Sequence, residues 1–132
     1  MTPVDQQCTH RPDEGLQGDC QRAVIASLLD LPLEAVPHFA AGGDSCRYWE
    51  SLQQFCRSHG YVYLTVPARF GGGIYGDEGD VHHVISGPSP RDSAVSHAVV
   101  GCNGEVVFDP HPSRAGLAGD SSRWQHGYLV RT

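Results

Sequence analysis

The sequence predicts an α+β fold in a single domain over residues 1–132. The chain has 132 residues, which is enough for one domain with a hydrophobic core. Both helix-like segments come before residue 60, and every strand-like run of β-branched and aromatic residues comes after it. Helices that precede the strands, rather than alternate with them, favour an antiparallel sheet. We therefore expect the first helix to pack on such a sheet.

The first helix is expected at about 20–29, immediately after a loop that ends in Gly18 and Asp19. Asp19 is a good N-cap residue, so its carboxylate should accept from backbone N–H groups one turn into the helix. Cys20 then lies on the first turn, where unpaired amides and the helix dipole favour a thiolate. The alternative is that Cys20 is an ordinary buried thiol, the commonest role of a free cysteine.

The second helix is expected at about 45–59, after a short helical turn within 31–37. Asp44 or Ser45 would cap its start, and Gly60 would end it. Its apolar residues recur at helical spacing and predict one buried stripe. These residues are Tyr48, Trp49, Leu52, Phe55 and Cys56.

The second half of the chain predicts five strands and two long loops. The strands are expected at 61–66, 81–86, 96–101, 105–109 and 124–131. The glycine-rich stretch 69–80 predicts a surface loop that could form a flap over a cleft, and 111–123 predicts a second loop. Because a chain of this length has little room for a specificity domain, we expect both loops to contact substrate.

The composition disfavours several classes of partner and several cellular locations. The formal net charge is -6, which disfavours nucleic acid and anionic membranes as partners. We find neither an apolar run long enough to cross a bilayer nor a secretory signal pattern. Five irregularly spaced cysteines also disfavour a secreted disulfide framework. The sequence therefore predicts a cytoplasmic protein and leaves its oligomeric state open.

A hairpin near the C-terminus carries a histidine and an aspartate. Two apolar runs flank Asn103-Gly104, a strong hairpin signal. A two-residue turn would place His97 and Asp109 on opposite faces of the sheet, whereas a three-residue loop would place them directly opposite each other on one face. Asp109 at the strand end can also bend toward His97 in either register. A surface hairpin with two solvated side chains is the alternative to a functional pair.

Together, Cys20, His97 and Asp109 are the residue types of a thiol-based catalytic triad. A cysteine nucleophile needs a base, and the base needs a partner that orients it and stabilises its charge. The order of the three, with His97-Ala98-Val99-Val100 and Phe108-Asp109-Pro110, resembles the papain-like cysteine peptidase superfamily. The similarity is greatest to its small bacterial branches, including peptidases that remove double-glycine leaders from bacteriocins, and to small phage and bacterial proteins.

The resemblance implies a papain-like fold, a peptide or protein substrate and no cofactor. It also implies a glutamine upstream of the cysteine that helps bind the oxyanion of the tetrahedral intermediate. Gln6 is the best candidate, because Val4-Asp5-Gln6 resembles the short strand that carries this residue, while Gln7 and Gln17 stay open. The backbone N–H of Cys20 would be the second donor. Gln21, in place of the small residue usual after the cysteine, is expected to narrow the site.

Other functions were weighed against a cysteine hydrolase. A transglutaminase or deamidase would use the same triad with another acceptor, and a binding or inhibitory protein would keep the fold without turnover. A metal site is disfavoured because the tightest clusters, Cys8-Thr9-His10 and His82-His83, lack the usual ligand spacing. Of the latter pair, either histidine could line the cleft, but a partly exposed strand position is the simpler expectation. We expect hydrolysis of a peptide or isopeptide bond through a thioester.

Overall fold

The computed structural model describes residues 1–68 and 79–132. It contains two α-helices and a five-stranded antiparallel sheet, as the sequence predicted for the α+β class. The expected flap at 69–80 lies outside the described residues except for Gly79 and Asp80. Within the described ranges, no helix is long and apolar enough to cross a membrane.

Helix α1 spans Cys20–Leu28, and its middle is buried on all sides. Ala23 to Ser27 form five successive buried residues, which is the consequence of packing against strands on one side and the N-terminal arm on the other. The arm is fixed to α1 by Ser27, whose Oγ accepts from the Val4 N–H at 2.9 Å. This helix therefore provides a rigid base for the residue at its start, Cys20.

Helix α2 spans Ser45–Ser58 and begins at the predicted cap. The Asp44 carboxylate accepts from the backbone N–H groups of Cys46 and Arg47 at 2.9 and 3.3 Å. Leu52 and Cys56 are buried as expected, and burial raises the pKa of the Cys56 thiol to about 11. Trp49 corrects the predicted stripe, because 47% of its surface is exposed.

The sheet has the strand order β1-β5-β2-β3-β4. The chain order of the strands is Tyr61–Pro67, His82–Pro88, Ser96–Cys102, Glu105–Phe108 and Gln125–Arg131 for β1 to β5. Helix α1 packs on β3 and β2, and α2 packs on β1. The core between helices and sheet is formed by buried aliphatic and aromatic side chains, among them Val24, Ile25, Leu52, Tyr63, Val84 and Val100.

The hairpin of β3 and β4 combines a tight turn with a β-bulge. Cys102 pairs with Glu105 across Asn103-Gly104, whose positive φ angles of 49° and 87° suit a two-residue hairpin turn. Gly101 then pairs with Val106, but Val100 pairs with Phe108. One residue of β4 is thus extra, which is the definition of a bulge.

The bulge changes the face on which Asp109 lies. The two-residue turn alone would have placed Asp109 and His97 on opposite faces. Continuing the shifted register places Asp109 opposite Val99, which is two residues from His97 and hence on the same face. The two-residue turn is one of the two predicted alternatives, but its expected consequence is overturned because the bulge next to Val100 was not predicted.

Asp19 does not cap α1, contrary to the sequence expectation. Its side chain is 1% exposed and faces the N-terminal arm instead. Its Oδ1 accepts from the backbone N–H groups of Gln7 and Cys8 at 3.0 and 2.7 Å, and its Oδ2 contacts Arg22 Nη1 at 3.3 Å. The carboxylate therefore holds the arm beside the start of the helix.

Candidate active site

His97 lies near both other members of the predicted triad. Cys20 stands on the first turn of α1, partly buried, and lies in the same cleft as His97, near enough to raise the pKa of the imidazole. On the other side of the ring, His97 Nε2 lies 2.8 Å from Asp109 Oδ1. Because Asp109 occupies Nε2, Nδ1 is the ring nitrogen left for the thiol. The three residues come from a helix, a strand and the segment after a strand.

The Asp109 carboxylate is held by three donors. Oδ1 accepts from His97 and from the backbone N–H of His111 at 2.9 Å, and Oδ2 accepts from the backbone N–H of Gly116 at 2.7 Å. Asp109 is only 5% exposed. Burial would raise the pKa of Asp109, but these hydrogen bonds hold it below its ordinary value. Asp109 is therefore an anion in a fixed orientation.

The environment of His97 favours its charged form. His97 is 4% exposed, and this burial, the largest single influence, opposes a charge on the ring. The hydrogen bonds and charges of Asp109 and Cys20 outweigh burial and raise the pKa of His97 to about 9. At neutral pH the ring is then a cation beside the Cys20 sulphur.

Gln6 lies in the same cleft as Cys20 and His97. Its backbone N–H donates to the Pro110 carbonyl at 3.1 Å, and its side-chain Nε2 donates to the Cys8 carbonyl at 2.7 Å. An amide nitrogen carries two hydrogens, so one remains for a ligand. Residues 4–6 form no strand, which corrects the expected strand at this position. Hydrogen bonds to Asp19 and Pro110 fix this arm instead.

The other two glutamine candidates differ in position. Gln7 is exposed and lies outside the cleft, whereas Gln17 lines the cleft and accepts at its backbone oxygen from His38 Nε2 at 3.1 Å. The backbone N–H of Cys20 is one of the amides that an α-helix leaves without an intrahelical acceptor. Gln6 and Cys20 thus both line the cleft.

The cleft has a volume of about 790 Å³. Gln21 lines it, and its Nε2 lies 3.4 Å from Tyr63 Oη. Trp49, Tyr48 and Phe39 form an aromatic part of the lining. Sequence reasoning missed the role of Trp49 because the helical period identifies apolar positions but does not distinguish a core from a cleft wall.

The loop after β4 reaches the rim of the cleft, as predicted for 111–123. His111 and Arg123 both line it. The His111 ring stands edge-on to His97, with centroids 6.1 Å apart. Burial, together with the charges of Arg91 and His97, lowers the pKa of His111. His111 is therefore a neutral neighbour of the charged His97.

The histidines of β2 and β5 are not part of the cleft lining. His82 is exposed and His83 is fully buried, as expected for successive residues of a strand. His83 Nε2 lies 2.9 Å from His126 Nδ1, so it is a core residue, neither a cleft residue nor a partly exposed one. Among residues 1–68 and 79–132, no three His, Cys, Asp or Glu side chains are grouped so that they could hold a metal ion.

Comparison of the chain with protein-family models, with curated proteins and with solved structures finds no match. The site geometry is therefore the basis for the function that follows.

Proposed function

We propose that this protein is a cysteine hydrolase that cleaves a peptide or isopeptide bond through a thioester intermediate. The observation that carries the proposal is the position of His97, which shares a cleft with Cys20 and is hydrogen-bonded to the buried Asp109 carboxylate. This is the arrangement that a weak nucleophile needs for activation, since the base is within reach and its orientation is fixed.

The proposed reaction has two stages. The proton of the Cys20–His97 pair resides on His97, and the Cys20 sulphur attacks the carbonyl carbon of the substrate. The oxyanion that forms accepts hydrogen bonds from the Cys20 N–H and from Gln6 Nε2. As the carbon–nitrogen bond breaks, His97 gives its proton to the leaving amine, and a thioester remains. His97 then takes a proton from water, the resulting hydroxide displaces the sulphur as a thiolate beside the protonated His97, and a carboxylic acid is released.

Asp109 supports both stages without changing its own charge. It stabilises the imidazolium of His97 and holds Nε2, so that Nδ1 stays directed toward the sulphur and the leaving amine.

We also propose that the fold is papain-like and that the protein works in the cytoplasm. The antiparallel sheet packed on the cysteine-bearing helix supports the former, and five free thiols support the latter.

The first test is selective alkylation. Iodoacetamide at pH 7 should modify Cys20 several-fold faster than Cys46, as followed by peptide mass spectrometry. Cys46 is the matched control because it is exposed, whereas Cys20 is partly buried. A faster reaction at the less accessible thiol requires activation by its surroundings. Equal rates, or a faster reaction at Cys46, would argue against the proposal.

The second test is turnover of a peptide library, with Cys20→Ala as the inactive control and Cys46→Ala as the matched active control. New peptide termini that appear with wild type and with Cys46→Ala, but not with Cys20→Ala, support a hydrolase. Release of ammonia without chain cleavage would indicate a deamidase or transglutaminase. Binding that Cys20→Ala retains, with no turnover in wild type, would indicate a non-catalytic protein.

A further inference from the structure

The charged side chains that line the cleft are mostly basic, whereas those of the whole chain are mostly acidic. The chain has 15 acidic and 9 basic residues, yet the described part of the cleft lining contains four arginines and one acid. The single acid, Asp19, is buried and occupied by the N-terminal arm and Arg22. The four arginines are Arg11, Arg22, Arg91 and Arg123.

Two of these arginines are already occupied. Arg22 donates through Nε to the Val36 carbonyl at 2.6 Å and pairs with Asp19. Arg11 pairs with Glu14 at 3.5 Å and donates to Thr9. Neither arginine therefore presents a full charge to a ligand.

Arg91 and Arg123 are exposed, and neither pairs with a carboxylate of the described residues. Arg91 donates through Nη1 to Ser113 Oγ at 2.9 Å, which fixes the guanidinium but leaves its charge uncompensated. Guanidinium groups present paired N–H donors that match the two oxygens of a carboxylate. Both residues line the cleft, and we call Arg91 and Arg123 its cationic patch.

Both arginines belong to the His97 side of the cleft. Arg91 bonds to Ser113, Ser113 bonds to His111 Nδ1 at 2.8 Å, and the His111 ring stands edge-on to His97. Arg123 precedes β5 at the end of the sheet where Gln125 pairs with Ser86, next to the strand pair that contains His97. The patch formed by Arg91 and Arg123 is therefore adjacent to the proposed general acid.

The position of Arg91 and Arg123 indicates which half of the substrate they would contact. His97 must return a proton to the leaving amine, so the leaving half of the substrate lies over His97. The acyl half then extends toward the aromatic wall of Tyr48 and Trp49. The cationic patch faces the leaving half, where a carboxylate would pair with it.

We propose that the leaving-group half of the cleft, at Arg91 and Arg123, binds a carboxylate of the substrate peptide. The carboxylate is either the side chain of an acidic residue just beyond the cleaved bond or the C-terminus of a short leaving segment. The assignment of this half rests on the proposed function, because it depends on His97 as the proton donor. The binding of the carboxylate itself does not depend on turnover.

The test is retention of a randomised decapeptide library on immobilised Cys20→Ala protein, which cannot form the thioester. Sequencing of the retained pool should show Asp or Glu enriched at least threefold at one position, or a preference for the free-acid library over its C-terminally amidated counterpart. The first result identifies a side-chain carboxylate and the second a terminal one. In the Arg91→Gln/Arg123→Gln protein either signal should be lost, while Arg47→Gln, a matched exposed arginine outside the cleft lining, should preserve it.

The proposal is overturned if neither library shows a carboxylate preference, or if the double variant keeps it. Circular dichroism and the unfolding midpoint of each variant establish that the fold is intact. Each single variant, Arg91→Gln and Arg123→Gln, should weaken the affinity for the selected peptide about tenfold, as expected for loss of one charge-assisted pair. Selective alkylation of Cys20 tests the hydrolase separately, so failure of one proposal is distinguishable from failure of the other.

Discussion

His97 and Asp109 meet at 2.8 Å because β4 contains one residue more than its partner strand requires. The two-residue turn at Asn103-Gly104 sets a register in which the two side chains would face opposite sides of the sheet. The bulge next to Val100 moves Asp109 by one position and returns it to the face of His97. The geometry of the pair thus depends on a backbone irregularity.

The role of this bulge can be tested by deletion and insertion. Deleting Val107, which is 50% exposed, should remove the extra residue but keep Phe108 opposite Val100, so that Asp109 still meets His97. Inserting one alanine between Phe108 and Asp109 should move Asp109 to the opposite face. NMR titration of the His97 imidazole should give a midpoint near 9 for the deletion and a clearly lower one for the insertion. The same midpoint in both proteins would contradict this account.

Asp109→Asn should lower the pKa of His97. The asparagine keeps the shape but removes the negative charge, so burial of the imidazolium is no longer compensated. The NMR midpoint, expected near 9 in the wild type, should fall by at least one unit. The rate of the proposed peptide cleavage should fall at least tenfold, because the imidazolium of His97 loses the carboxylate of Asp109 as its partner. Asp92→Asn, at an exposed aspartate in the turn before β3, is the matched control and should leave both values unchanged.

The pair of His97 and Asp109 should make the free energy of unfolding depend on pH in the alkaline range. A histidine whose folded pKa exceeds its unfolded value stabilises the protein fully below about 6.5, and this stabilisation is lost as the pH rises through about 9. The free energy of unfolding in urea should therefore decrease from pH 6.5 to pH 9. Asp109→Asn should show a smaller decrease over this window, because its His97 has less stabilisation to lose. A steeper decrease in the variant would disprove the linkage.

The buried pair of His83 and His126 should instead lower the free energy of unfolding in the acid range. Burial lowers the pKa of both His83 and His126, and the unfolded chain therefore binds protons more readily below about pH 6.5. Stability should decrease as the pH falls from 7 to 5. His126→Gln should reduce this decrease, whereas His82→Gln, at the exposed neighbour on β2, should not. Urea unfolding at several pH values provides the measurement.

Asp19 should be important for stability even though it does not cap a helix. Asp19→Ala removes the buried carboxylate that accepts from the backbone N–H groups of Gln7 and Cys8 and pairs with the Arg22 guanidinium. The free energy of unfolding should fall by about 3 kcal/mol, in the range known for a broken buried charge network. Asp13→Ala, at an exposed position of the same arm, should cost less than about 0.5 kcal/mol. Equal effects would show that Asp19 is not a structural anchor.

Local sequence patterns were sufficient for the elements and for the chemistry of the site. The apolar run after Asp19, the stop at Gly60 and the Asn103-Gly104 signal each act within a few residues, and the helices and strands formed where these patterns predicted them. Cys20, His97 and Asp109 were predicted as a triad because a cysteine at a helix start, a histidine on a strand and an aspartate at a strand end follow in that order. The proximity of Cys20 and His97 remained a hypothesis, since these residues are 77 positions apart along the chain.

Tertiary packing determined the positions of side chains that local sequence patterns could not predict. The carboxylate of Asp19 faces the arm, where it accepts from two backbone N–H groups and pairs with Arg22. Trp49 lines a cleft instead of the core, and its ring centroid lies 6.2 Å from that of Tyr63 in β1. The sequence by itself determined the α+β class and the three candidate site residues. Only the fold determined the bulge that joins His97 to Asp109 and the arginines that surround them.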